Sequence, residues 1–417
     1  MIHMMSTTTR TPGPTNLGAP YWRIWWANAV SSVGDGAFVT ALPLLGVTLT
    51  TDPRWLSLVS AAFFVPWLVF SLPAGALVDR YDRATLMWRA QAVQGLVVVV
   101  IAVLVVTGTA TIAALVAAGF CLGAAEVVFS NAAQAVLPQL VPAEQLPKAN
   151  GHLQVSLTAG ETFLGPPVGS VLFAVTRALP FGLDAVSFAG SALLLSRLPR
   201  QVPVAMEGGL GGRIVEGVRW LLHHRLLRAV AALLGVLGFC SQMGQAVLVL
   251  LATRTLHVGV RGYGLLWTAE AIGSVLGGLA NPAITRRLGQ TRSLIIAVVG
   301  AALADAGLGL APNAYAAGLI MAASGFAITM WNVVTVTVRQ RIVPARLLGR
   351  VNSAYRMLGW GLMPLGAIAG GFVAHAAGLR APYLLGAALS MLALVVALPV
   401  LRGHGEQPAD APARAAG

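Results

Sequence analysis

Gly95-Leu-Val-Val-Val-Val-Ile-Ala-Val-Leu-Val-Val106 runs for twelve residues without a polar side chain. A water-facing surface cannot absorb such a run. It closes a longer apolar segment, 86–106, of about the 20 residues that carry a helix across a hydrocarbon layer. The rest of the chain reads the same way. Of its 417 residues 57% are hydrophobic and 10% charged, against about 25% charged in soluble domains. With a mean hydropathy of +0.78, an ordinary soluble globule is excluded and a polytopic helical membrane protein is indicated. The hydropathy profile gives twelve spans: 22–49, 55–78, 86–106, 111–131, 152–175, 180–198, 229–253, 262–284, 293–311, 314–338, 352–376 and 381–401.

The charges orient these spans. Twenty-six of the 27 basic residues are arginine, and they sit in short loops. If the N-terminus is cytosolic, only Arg54, Arg177, Arg254, Arg261 and Arg380 fall on the other side, leaving 22 of the 27 in the cytosol. The net charge of +13 therefore points to lipid headgroups rather than nucleic acid. This predicts a multi-pass protein of the inner (cytoplasmic) membrane with both ends in the cytosol. The expected organisation is a disordered tail over 1–20 with no signal peptide, a six-helix half over 21–198, a cytosolic linker over 199–228, a second half over 229–401 and a tail over 402–417. Within the linker, Ile214, Val218, Leu221 and Leu222 share one helical face, as in a helix lying on the headgroups. The neighbours His223 and His224 diverge by about 100° and cannot form a helical metal pair. Cys121 and Cys240 lie inside apolar runs and read as packing residues.

A repeat divides the chain in two. At a constant offset of 202, Gly75-Ala-Leu77-Val-Asp79 matches Gly277-Gly-Leu279-Ala-Asn281, and Pro142 and Asn150 match Pro344 and Asn352. Both pairs of stretches fall at the same places in a six-span unit, after its second and fourth spans. Two parallel six-helix halves follow, an arrangement that holds a central site between halves that rock.

The segment after the second span, Gly75-Ala-Leu-Val-Asp79-Arg80-Tyr-Asp82-Arg83, resembles the loop signature of the major facilitator superfamily. Asp82 and Ala84 replace its second glycine and last basic residue. The resemblance implies an all-α membrane fold of twelve helices in two halves, and a gating role for Gly75, Asp79, Arg80 and Arg83. A carboxylate at Asp79 is suited to the positive N-terminus of a neighbouring helix. In the fifth span, Gly165-Pro166-Pro-Val-Gly169 is similar to the helix motif of the superfamily's antiporters. Its glycines permit close helix packing and its prolines bend the helix. The wording around Ser31–Pro43, 136–150 and 339–352 resembles the macrolide-efflux and enterobactin-exporter branch, over about residues 20–400. In one departure, Ala117 stands where many proton-coupled drug exporters carry an arginine.

Ionisable residues inside spans are costly and therefore candidates for function. Asp35, about 20 Å of helical rise into the first span, lies near mid-membrane and is the first choice for a proton carrier. Glu126 in the fourth span either holds Arg83 or carries protons. Glu161 and Glu270 are further candidates for the proton or substrate pathway. Asp184 and Asp305 lie nearer the outer ends and read as wetted or capping residues. Trp67, Trp267 and Trp331 either line a cavity or face lipid.

The function expected is secondary export of a moderately hydrophobic small molecule, such as an antibiotic or siderophore, by proton antiport. No phosphate-binding loop of the ATPase type occurs. No enzyme activity, cofactor or metal is expected, and the family implies a monomer. Uptake or lipid movement by the same fold is the alternative, followed by a membrane sensor or enzyme.

Overall fold

The computed structural model describes residues 17–142, 145–199 and 210–403; the side chains of a few helical residues, Asp79, 211–215, Arg346 and Arg356 among them, lie outside the description. The tails expected over 1–20 and 402–417 fall mostly outside the described residues. Everything regular within those residues is helical.

Four continuous helices open the chain: α1 (Gly18–Leu49), α2 (Pro53–Arg80), α3 (Arg83–Val106) and α4 (Ile112–Leu140). Tight turns join them, and polar side chains cap the helices that follow. Asp52 accepts the Arg54 N–H at 2.9 Å, and Thr111 accepts the Ala114 N–H at 3.2 Å. The fifth pass is composite, with α5 (Leu146–Leu157), a π-helical segment (Thr158–Leu164) and α6 (Gly165–Val175). Pro166 and Pro167 supply no N–H to the preceding turn, and the hydrogen-bond ladder widens there. Next come α7 (Leu179–Ser196), α8 (Leu210–His223) and α9 (Arg225–Leu250), which ends in a second π segment, Leu251–Thr255.

The helix α10 (Val260–Leu310) has 51 residues, which as one rod would be more than twice the thickness of a hydrocarbon layer. Gly289, at φ 79°, turns the chain within it, so it makes two passes. Then follow α11 (Ala314–Ile342), α12 (Ala345–Gly361), α13 (Met363–Ala377) and α14 (Ala381–Gly403). The eleventh pass breaks at Leu362, just before Pro364. Among the described residues, ten helical stretches are individually long and apolar enough to span. Counting α10 twice and adding the composite fifth pass makes the twelve passes expected from hydropathy.

Both described ends lie on one face, here the terminal face. Outward-pointing side chains are apolar and uncovered, for example Val106 (76% exposed), Leu279 (74%) and Leu319 (76%), as lipid requires. Inside, the core is asymmetric along the membrane normal. Near the opposite face a single cluster joins both halves, with Phe38, Leu45 and Phe181 of the first and Leu250, Tyr263 and Tyr383 of the second. Near the terminal face each half keeps its own cluster, around Met87 and Val136 in the first and around Leu227 and Trp331 in the second. The halves are therefore closed together at the opposite face.

Other inter-half contacts agree. A Cβ on Gly371 would strike Ser57 and approach the Pro53 carbonyl to 2.8 Å, and Trp67 meets Trp360 edge-on at 4.3 Å. His375 Nδ1 lies 3.5 Å from Asp52. Trp67 thus joins the two halves, and Trp331 is buried in the second-half core. The helix α8 does more than lie on headgroups: Glu216 is ion-paired to Arg350, Gly217 packs on the Arg350 backbone and Leu221 is fully buried, while Leu222 stays 47% exposed.

Candidate functional site

The fifth pass is the pivot of the first half. Gly36 of α1 crosses it so closely that a Cβ would stand 2.5 Å from the Glu161 carbonyl oxygen and 2.9 Å from Gly165 Cα. Gly165 and Gly169 press against the backbone of Gly36 and Ala37 in return. Thr40 Oγ1 donates to the Pro166 carbonyl at 3.2 Å. Gly264 of α10 packs on Pro166 and Ser170 from the other half. The glycines and proline singled out in the sequence thus form a backbone-to-backbone crossing between α1, α6 and α10.

That crossing gathers acidic side chains. Asp35 of α1 stands within electrostatic reach of Glu126 on α4, Glu161 on the π segment and Asp184 on α7. Asp184 is 1% exposed and is not wetted at the outer end. Gly34 lets α7 approach until a Cβ there would meet Asp184 Oδ1 at 2.5 Å. Ser187 donates to Asp184 at 3.3 Å, and Gln94 Nε2 donates to Glu126 at 3.2 Å, with Gln91 behind it at 3.3 Å. Asp35 and Glu126 are half-buried and Glu161 is exposed. Among the described residues none of the four is ion-paired.

Glu126 does not hold Arg83 in this conformation. Arg83 Nη1 donates to the Ala135 carbonyl at 3.1 Å, and the side chain is 5% exposed. Segment 75–83 is also less of a loop than its sequence suggests. Gly75, Asp79 and Arg80 belong to the last turns of α2, and only Tyr81 and Asp82 separate them from α3. Asp82, in the position of the signature's second glycine, caps α3 by accepting from Thr85 N at 2.9 Å. The Asp79 side chain lies outside the described residues. Its repeat counterpart Asn281 is buried and donates to the Met330 carbonyl at 3.3 Å, tying the eighth pass to the tenth.

Glu270 stands apart from the other candidates. It lines a cavity of ≈ 30 Å³ inside the second half with Ser241, Gln245, Asp305, Ser324 and Tyr383. Asp305 therefore faces inward rather than capping an outer end. The sequence carries a further signal: Gly366 and Gly370, both just after Pro364, press on the backbones of Phe239 and Met243. They reproduce in the second half the way Gly165 and Gly169 press on α1. The same four-residue glycine spacing beside a proline could have revealed this.

Twelve passes in two halves, each with a proline-broken fifth member and closed together at one face, define a membrane transporter of the major facilitator fold. Solved structures agree. The nucleoside transporter NupG superposes with a TM-score of 0.76 at 14% identity, covering 92% of this chain and 100% of that one. A bacterial homologue of the iron transporter ferroportin in its inward-facing state gives 0.73 at 15% identity, over 93% and 100%.

A family model described as transmembrane secretion effector matches residues 17–413, and the chain belongs to that family. It is similar to the enterobactin exporter EntS of Citrobacter koseri, 25% identical over 80% of each chain. The multidrug efflux pump Tap of Mycolicibacterium fortuitum is 27% identical over 92% of this chain and 96% of its own.

Proposed function

We propose that this protein exports a moderately hydrophobic small molecule, of the antibiotic or siderophore kind, across the cytoplasmic membrane by alternating access coupled to proton antiport. Family membership and the two exporter relatives support efflux. The observation that carries the coupling is that Asp35 stands within electrostatic reach of Glu126, Glu161 and Asp184 while, among the described residues, none of the four is ion-paired. Like charges in a poorly polarisable interior repel strongly, and protons or a cationic substrate relieve that repulsion. Exchange of the two at a shared acidic cluster is antiport.

The cluster lies on the α1 crossing with α6, which in turn touches α10 of the other half. Occupancy there is therefore placed to bias how the halves rock. The excess of arginine on the terminal face supports cytosolic termini. With that orientation, the conformation described is closed to the outside and disposed to take substrate from the cytosol. Asp79, Arg80 and Arg83 are proposed to serve the opposite closure at the terminal face.

The test begins with accumulation of a compound panel in cells with and without the chain. A compound depleted by the chain is then added to purified protein while proton release is followed across pH. Release is expected from wild type and not from Asp35→Asn, which keeps size and hydrogen bonding while removing titration. Undiminished release from Asp35→Asn moves the coupling to Glu126 or Glu161. No release from wild type refutes proton antiport.

A further inference from the structure

Gln91 and Gln94 stand three residues apart on α3 and share one face of it. They are 1% and 3% exposed. Beside them a Cβ on Gly95 would stand 3.2 Å from Phe188 Cβ of α7, so the face is packed rather than wetted. Amides are costly to bury at membrane depth, and apolar side chains would pack there at no such cost. These two form a chain that ends on the acidic cluster. Gln91 Nε2 donates to Gln94 Oε1 at 3.3 Å, and Gln94 Nε2 donates to Glu126 Oε2 at 3.2 Å. At the far end Gln91 Oε1 is sealed from solvent and accepts no hydrogen bond. The chain is thus polarised toward a carboxylate, which can only accept.

Turning both amides over reverses it. A protonated Glu126 then donates its O–H to Gln94 Oε1, and Gln94 Nε2 donates to Gln91 Oε1. Each register holds two hydrogen bonds and leaves one amide atom of Gln91 unpartnered at the far end, so the glutamines alone favour neither. The proton on Glu126 chooses. A fixed cationic donor in their place would hold Glu126 charged. Of the elements around α4, α1 brings Asp35 and the π segment brings Glu161 within electrostatic reach of Glu126. From α3 comes Arg83, which is spent on the Ala135 carbonyl nine residues further along α4. The charges of α2, Arg54, Asp79 and Arg80, lie near its two ends. We infer, on the reading of Glu126 as part of the proton pathway, that Gln91 and Gln94 are positioning residues: a reversible amide chain that serves the charged and the protonated form of Glu126 alike, and so keeps both accessible at one place.

The experiment is an infrared titration of the purified full-length protein, without any transported compound. Glu126 is identified by the carboxyl band that Glu126→Gln removes, and the amides by isotope-labelled glutamine. Glutamine side-chain bands are expected to change with the same midpoint as the Glu126 band, and to stay constant in Glu126→Gln. In Gln94→Met, which keeps the bulk and offers no donor, the midpoint is expected to rise by about one pH unit, because a hydrogen bond to a carboxylate is about twice as strong as one from the neutral acid. Glutamine bands that stay fixed while Glu126 titrates overturn the proposal. A midpoint in Gln94→Met equal to that of wild type reduces the glutamines to packing and overturns it too, as does the absence of any Glu126 transition in wild type. Should Gln94→Met fail to fold, the labelled wild type decides by itself. Coupled bands with no proton release in the transport assay leave the amide chain standing while the antiport reading falls, and proton release with fixed glutamine bands does the reverse.

Discussion

Replacing Gly36 by alanine tests whether the crossing of α1 and the fifth pass positions the acidic cluster. The new methyl would stand 2.5 Å from the Glu161 carbonyl oxygen and 2.9 Å from Gly165 Cα, about 0.9 Å and 0.5 Å short of the 3.4 Å at which ordinary contact begins. Both opposing atoms are backbone, so no change of rotamer relieves the clash and the helices must part. Overpacking of this kind costs roughly 1–3 kcal/mol.

Alanine also gains up to about 1 kcal/mol over glycine in a helix, and Gly182→Ala in α7 isolates that gain, because its Cβ would meet no atom within 4 Å. The difference between the two variants is therefore the overpacking alone, about 1–3 kcal/mol against Gly36→Ala. Parting α1 from the π segment also separates Asp35 from Glu161, so efflux is expected to fall in Gly36→Ala and to persist in Gly182→Ala. Thermal unfolding of the purified variants and compound accumulation in cells provide the two readouts. If Gly36→Ala matches Gly182→Ala in both, the crossing does not set the geometry of the site.

Three further outcomes are expected. Asp52→Ala should destabilise the protein by about 0.5–2 kcal/mol through loss of the α2 cap, while Asp52→Asn retains the cap. Hydrogen bonds from the Arg54 side chain and backbone hold the Asp52 carboxyl down at about 2. Its charged form is thus favoured in the folded state, and the stability it adds over Asn should be complete above about pH 4 and fade as pH falls toward 2, as read in melts across that range. Gly371→Ala should weaken the closure at the opposite face and lower transport, because its methyl would stand 2.6 Å from Ser57 Cβ and 2.8 Å from the Pro53 carbonyl oxygen; transport equal to wild type at equal expression would refute a role for that closure. A reporter that works only in the cytosol, fused after Gly417, should be active, and activity of a periplasm-dependent reporter there instead would reverse the orientation.

The hydropathy runs and the offset of 202 were enough to obtain the spans and a two-half design, and the 22-to-5 division of basic residues gives the orientation proposed for them. All three are sums along the chain: insertion depends on local apolar length, orientation on loop charge, and a repeat on register. The proline breaks are local too, since a missing N–H disrupts its own helix wherever that helix packs. Which side of a helix faces its neighbour is not local. Asp184 and Asp305 sit near helix ends in sequence, where a carboxylate reads as wetted or capping, yet Gly34 admits α7 closely enough to bury one, and the packing of α9 to α11 turns the other into a cavity.

Likewise the sequence leaves Glu126 either to hold Arg83 or to carry protons, and packing gave it Gln94 while Arg83 turned to the Ala135 carbonyl. Asp82 interrupts a known signature in sequence and caps α3 in space. The sequence by itself determined which segments enter the membrane, because water and lipid judge each segment singly. Only the tertiary structure decided which carboxylates meet and which face is closed, because those depend on crossings between segments more than a hundred residues apart, such as Gly36 on Gly165 and Ser57 on Gly371.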